Sequence, residues 1–390
     1  MAEPCRSRID AHIKGTALPT MDRGNRVLDN SDLVKKGIPM TYRSPGFVGP
    51  ALALGLVCST VLSSSALGAA GARQAAGLPV WTFDFSYNGT NYSEQIVGTD
   101  PQQGASKTKI PVYIVPIWPT PACGANAPCK AIKETDPMAK LPDGRTVVKN
   151  IVASPLFEGA VKFDQGGTDI GKTQYLDAVA RLGFWGIGGN AAGYHVLFDK
   201  PKVMKTVVMY VPAADGSLGT EFGVKTFQVG LSYFDSQIQS LLASLNIPAG
   251  ALPVFITTQT YLTSGGCCIG GYHSVYGKST PYLEASYIQK EGVFAQDVSS
   301  LSAELGNLMN DPFATNGSPC GFGYSVSEGA AGEPNYGTFP YKVNGFTYHL
   351  EDLATPVFFG APASTSLDGW LSFQDNQVAV CGGQEAPRQG

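Results

Sequence analysis

Charge is what this 390-residue chain has least of: only 15% of its residues are Asp, Glu, Lys or Arg, against about a quarter in an ordinary soluble domain. Histidine is also scarce, with four in the whole sequence, so a site built on imidazole has very few positions to draw on. No basic patch is present, which removes the electrostatic footprint of a nucleic-acid binder. There is no G-x-S-x-G turn to present a serine nucleophile, and no cysteine stands in a context that marks a catalytic thiol. The cysteines form no C-x-x-C pair, so their spacing argues against a zinc knuckle.

Glycine is abundant, at 47 residues, and a surface of Gly, Ser, Thr, Asn and Gln suits an exported protein. Residues 47–72 (FVGPALALGLVCSTVLSSSALGAAGA) carry no charge, follow Arg43 and end in Ala70-Gly71-Ala72, the small-residue pattern that precedes a signal peptidase cut. We take 1–72 as a signal peptide with an N-terminal extension, Met40 being a candidate start. A membrane anchor is the rival reading of so long an uncharged run, and Cys58 raises a lipoprotein variant. The Ser, Thr, Gly and Ala content favours cleavage, which leaves no stable anchor. Eight of the 27 basic and five of the 31 acidic residues fall before Arg73, so the remainder carries a net charge of −7.

Six cysteines remain after that point, Cys123, Cys129, Cys267, Cys268, Cys320 and Cys381. An even number in an exported chain argues for disulfides. Cys123 and Cys129 flank a turn-rich GANAP and are the easiest pair to close. Adjacent Cys267 and Cys268 are expected to bond to Cys320 and Cys381 rather than to each other, because a vicinal bridge strains the backbone.

The pattern divides into a β-rich region, 73–145, and an α+β region, 146–390, expected to pack as one unit. Trp81, Phe83, Phe85 and Tyr87 alternate with polar residues, and Asn88-Gly89 turns the chain into a second strand, so it opens as a hairpin. Residues 109–118 (KIPVYIVPIW) form an apolar strand whose Pro111 and Pro116 point to a sheet edge or a bulge. Residues 166–173 (GGTDIGKT) match the phosphate-loop pattern letter for letter. The export signal and the charged VKFDQ before it, where a buried strand belongs, argue against a nucleotide. Helices are expected over 173–185 and 233–245, and strands over 205–212, 222–230 and 252–262. A final helix is expected over 346–359 and a short strand over 370–373.

The chemistry concentrates in 297–313 (DVSSLSAELGNLMNDPF), an amphipathic helix closed by Asp311 and Pro312. Val298, Leu301, Leu305 and Leu308 make one buried stripe, with Ala303 and Asn307 on the other side. In a zinc peptidase, ligands at i and i+4 hold the metal while a Glu at i+1 polarises its water. Glu304 occupies the i+1 place, but Ala303 has no donor atom and Asn307 is a weak zinc ligand.

Together with IPVYIVPI, SPLFEGAVKFDQGGTDIGKTQYLDA, YHVLF, GGYHSVYG and NGFTYHLEDLA, this helix resembles a group of bacterial secreted, largely uncharacterised proteins. Their helix typically reads S-H-E-[LI]-x-E-x-x-x-D-P and is similar to the H-E-x-x-E helix of zincin-like peptidases and of Exordium-type, phosphate-induced plant proteins. The resemblance covers most of the chain after the signal segment and implies an α+β fold, a mixed sheet with packed helices around a zincin-like core. Carried over, Ala303 stands at the ligand His, Asn307 at the ligand Glu, and Glu304 at a vestigial general base. The E-x-G-D-P of the group becomes Ala330-Ala331-Gly332-Glu333-Pro334, which displaces a third carboxylate.

His195 in YHVLF is expected to be a structural strand residue. His273 in a glycine-flanked loop, Asp311, and His349 beside Glu351 and Asp352 are candidate cleft residues. The expectation is therefore an exported, periplasmic or cell-envelope pseudo-enzyme without a cofactor, binding an extracellular protein or glycan. The alternatives are an active zinc peptidase with other ligands, and a carbohydrate-binding or matrix protein. Asn-x-Ser/Thr sequons at Asn88, Asn91 and Asn316 are compatible with surface loops.

Overall fold

A computed structural model describes residues 77–87, 89–124, 127–128, 132–165, 168–316, 338–351, 353–356 and 370–372. The signal segment, Cys129, Cys320, Cys381 and 330–334 lie outside those residues. The chain enters as the expected hairpin, β1 (Val80–Tyr87) with β2 (Thr90–Val97), turned at Gly89, whose φ of 79° suits a residue without Cβ. Next come β3 (Lys107–Ile110) and the long β4 (Val112–Gly124), followed by the short β5 (Ala127–Pro128) and helix α1 (Val147–Val152). Strands β6 (Val161–Gln165) and β7 (Thr168–Thr173) form a second hairpin, and helix α2 (Tyr175–Gly183) follows as predicted.

Strand β8 (His195–Phe198) returns to pair with β3. Then follow β9 (Lys202–Val203), β10 (Val207–Val211), β11 (Gly216–Glu221), β12 (Val224–Gly230) and helix α3 (Leu231–Leu242). The expected single strand over 252–262 is two, β13 (Leu252–Thr258) and β14 (Thr260–Thr263). They divide at Gln259, whose φ of 48° breaks the extended backbone, so each half joins a different sheet. Strands β15 (Cys267–Ile269), β16 (Gly271–Tyr276) and β17 (Thr280–Tyr287) lead to helix α4 (Ser299–Asn310). The described chain ends with β18 (Thr338–Val343), β19 (Phe346–Glu351), β20 (Ala354–Pro356) and β21 (Trp370–Ser372).

The protein is thus a strand-rich α+β fold. Its main sheet runs β10-β4-β13-β17-β16, parallel except for the antiparallel edge strand β16. Period-2 alternation gives this sheet two buried faces. Ile114, Val254, Ile256 and Leu283 join α2 and α4 in one core, while Val115, Ile117, Phe255 and Tyr282 meet Phe234 and Ile238 of α3 in the other. A second sheet, β11-β12-β14-β15, contributes Phe227 and Val229 to the α3 side.

Two expectations are corrected here, the β4 edge and the C-terminal helix, and the phosphate-loop match is located. Strand β4 is interior rather than an edge, in spite of its prolines. Pro111 precedes it, and Pro116 falls where the partner on one side changes from β9, at 113–114, to β10, at 117–121. A missing N–H is cheapest in such a gap. Thr168–Thr173, the last part of the phosphate-loop match, is a strand with a bulge opposite Phe163 and Asp164 and not a loop opening a helix. Within the expected helix at 346–359, the described residues form instead the strands β19 and β20, because Tyr348, Leu350 and Leu353 are drawn into the core by pairing and packing rather than by helical spacing. Tyr348 also reaches α1 through its hydroxyl, which bonds Asn150 Oδ1 at 3.0 Å.

Candidate functional site

Helix α4 packs against β16, β17, β19 and β2 at once. Its predicted leucine stripe is buried as expected, but the opposite side is covered too. Ala303 lies in the same core as Leu301, Leu305 and Leu308, and Glu304 is only 8% exposed. Asn307 is half-buried. A helix enclosed on nearly all sides cannot present an open i, i+4 pair in the way the wheel alone suggested.

The helix is anchored at both ends by carboxylates. At its start, the backbone of Asp297 takes a φ of 39°, and its side chain accepts hydrogen bonds from the Val298 and His349 backbone N–H groups. The second oxygen of Asp297 lies 2.7 Å from His349 Nδ1. Burial raises the Asp297 pKa in spite of these bonds, and its hydrogen bond to His349 holds the imidazole above its ordinary value. In the middle, Ser302 Oγ accepts from Glu351 N at 2.8 Å, and Gly306 lets Leu353 approach to where a Cβ would stand 2.8 Å from its methyl carbon. At its end, Asp311 Oδ1 accepts from Thr315 N at 2.9 Å and Asn316 N at 3.1 Å. This turn sends Asn316 onto β2, where its amide bridges Gln95 N and Gln95 O at 2.9 and 2.8 Å. Asn316 itself is therefore half-buried and pairs with the backbone of β2 as a strand would.

Between the two ends sits the one sequence-predicted constellation that comes together. His273, on β16 and not in a loop, places Nδ1 3.3 Å from Glu304 Oε2. The approach is possible because Gly271, two residues earlier on the same face, has no side chain: a Cβ there would be 2.9 Å from Glu304 Cγ. Burial alone would lower the His273 pKa, but the hydrogen bond and charge of Glu304, followed by Asp311, raise it. His273 Nε2 is buried without a hydrogen-bond partner.

Two carboxyls that the sequence did not single out flank this contact. Glu284, fully buried on β17, accepts from Thr257 Oγ1 at 2.8 Å, while its Oε2 has no partner. Its pKa is pushed up to about 8 by burial and by the charge of Glu304. Glu94 on β2 is equally enclosed and is also pushed up to about 8, by burial first and then by Asp311. The only hint in the sequence was a single carboxylate within the otherwise uncharged PYLEASY. His349 belongs to the Asp297 end of α4, on a strand rather than a helix, and is not part of this group.

Zinc takes thiolate, imidazole or carboxylate donors. Ala303 offers none and Asn307 offers only an amide, so the two helix positions that would hold zinc do not supply its donors. Among the described residues, the group of three such donors that does converge is elsewhere, Glu221 with Cys267 and Cys268. Those cysteines are bonded to each other through a cis peptide with Cα atoms 3.1 Å apart, which corrects the expected pairing with Cys320 and Cys381. Cys123 is disulfide-bonded.

His195 stands apart from α4. As expected it is a strand residue, at the start of β8, but its ring is held by the buried Asp177 of α2 at 2.9 Å. Comparison of the chain with protein-family models, with curated proteins and with solved structures finds no match.

Proposed function

We propose that this chain is an exported pseudo-enzyme with a zincin-like core, acting at the cell envelope or outside the cell by binding a protein or glycan rather than by hydrolysis. The observation that carries the reading is the state of Glu304. It occupies the place of a general base on a helix packed beneath the edge of a mixed sheet, yet it is buried against the imidazole of His273. The two helix positions that would hold the metal carry Ala303 and Asn307. A general base must reach the proton it abstracts, and here the carboxylate is committed to a structural contact. Elemental analysis of the purified protein tests the proposal: the expected result is no stoichiometric zinc, together with no chelator-sensitive cleavage of an unfolded protein substrate. About one zinc per chain, with cleavage abolished by Glu304→Gln, would establish the active peptidase instead.

A glycan is favoured among the possible partners by the opening hairpin. Phe85 stacks on Tyr92 with ring centroids 5.1 Å apart and on Phe83 at 5.2 Å, and Trp81 meets Phe184 edge-on at 5.3 Å. Phe83 and Phe184 are buried, and the half-buried Trp81, Phe85 and Tyr92 are the rings against which a sugar would stack. Glycan-array binding that survives Glu304→Gln and is lost in Phe85→Ala would locate the contact there.

A further inference from the structure

The bulge in β7 does more than disqualify the phosphate loop. Strict alternation would put Ile170 and Lys172 on one face of the strand. The extra residue instead sends Ile170 and Thr173 into the core and leaves Lys172 exposed. Across from it, β3 and β8 pair in parallel with Lys107 opposite His195, and the same alternation buries Thr108, Ile110, Val196 and Phe198 while Lys107 and His195 share the other face. The two outward faces meet at an open cavity of about 320 Å³, and no carboxylate is among the residues that line it.

From this juxtaposition we infer that the cavity bounded by Lys107, Lys172 and His195 binds a small phosphate-type oxyanion, either free or as the ester of a small molecule. The side chains of Lys107 and Lys172 make no ion pair or hydrogen bond with any described residue, so both ammonium groups are available to a ligand. His195 is pre-oriented. Its Nδ1 is fixed by Asp177, a fully buried carboxylate that also accepts from Val196 N at 2.7 Å and from Thr173 Oγ1 at 2.5 Å. With Nδ1 held as donor, Nε2 is the nitrogen left for a ligand, and no described residue bonds it. Two ammonium donors and an imidazole Nε2 that can accept from a phosphate O–H surround one concavity lined by no carboxylate, an arrangement that suits an anion carrying more than one charge. The cavity has the volume of a small-ligand site. It lies on the α2 side of the fold, and the inference does not depend on how the α4 helix is interpreted.

The test is calorimetric titration of the full-length protein with inorganic phosphate and, separately, with a sugar monophosphate, alongside the ring resonances of His195 by NMR. Saturable binding is expected with at least one of the two, accompanied by a shift of the His195 ring signals. The exposed pair Lys107→Ala and Lys172→Ala, combined, should weaken it about tenfold or more, the effect of removing charge-assisted hydrogen bonds. Tighter binding of the sugar monophosphate would identify an ester as the ligand, and tighter binding of inorganic phosphate the free ion. Absence of saturable binding with both probes, or equal binding by the double variant, would overturn the inference.

Discussion

Replacing Glu284 by glutamine isolates the cost of a buried carboxyl from every other titration in the fold. The pKa of Glu284 is raised from 4.5 to about 8, so the folded state holds its proton more tightly than the unfolded chain does. The sign follows: its contribution to stability is fully present below 4.5 and is lost as the pH rises to about 8. At about 1.4 kcal/mol per pH unit, a gap of that width corresponds to roughly 5 kcal/mol, comparable to the whole stability of a marginal domain. Glutamine keeps an acceptor for Thr257 Oγ1, which lies 2.8 Å from Oε1, and puts a neutral amide where the unpartnered Oε2 stands. The variant should therefore match the parent within about 1 kcal/mol near pH 4.5. Above pH 8 it should exceed the parent by roughly 3–5 kcal/mol. Glu94 titrates over part of the same range, but it is present in both proteins and cancels in the difference. Urea unfolding followed by circular dichroism at a series of pH values, with the slope m checked for constancy, measures this directly. A stability difference between the two proteins that is the same at pH 4.5 and pH 8.5 would refute the argument that Glu284 is folded in as a neutral acid.

Glu304→Gln removes the two leading causes that raise the His273 pKa and leaves burial in control, so the imidazole should titrate below its value in the parent; NMR of the ring gives the direction, and an unchanged pKa would show that Glu304 is not its partner. Ala303→His with Asn307→Glu restores the donor types of a zinc helix, but Ala303 is buried among leucines, so the double variant should lose about 1–3 kcal/mol of stability from overpacking. It should bind zinc only if the helix shifts, and equilibrium dialysis checks that. Asn316→Ala deletes the amide that bridges Gln95, and a loss of about 1–3 kcal/mol in chemical denaturation is expected from the unpaired backbone groups.

Local pattern was a good guide wherever one face of an element met one core. Alternation in 81–87 gave β1, and the apolar spacing of 173–185 gave α2. The Leu301, Leu305 and Leu308 stripe gave α4 within two residues of its observed start. Pattern failed where a segment was enclosed from more than one side. Residues 346–351 carry Leu350 at a spacing that suits a helix as well as a strand, and pairing with β18 decides between them. The prolines of β4 argued for an edge, since nothing in 109–118 announces that a change of partner elsewhere leaves a gap for Pro116. In the candidate site, Glu304 and His273 were both visible as isolated polar residues. Their contact was not, because it depends on Gly271 letting a strand from one part of the chain close onto a helix from another.

By itself the sequence determined the scarcity of charge, the even count of cysteines after the leader-like segment, and the lack of an imidazole or carboxylate at Ala303 and Asn307, all properties of residue identity. It also determined three of the four described helices and the opening hairpin, because hydrophobic period is local. Only the tertiary structure decided that Glu304 is sealed against His273, that Glu94 and Glu284 are buried acids, that Cys267 and Cys268 bond to each other, and that Lys107, Lys172 and His195 surround one cavity. Each of these depends on the distance between atoms far apart in sequence or on a backbone conformation, and desolvation, which sets the chemistry of a buried carboxyl, exists only once the chain has closed around it.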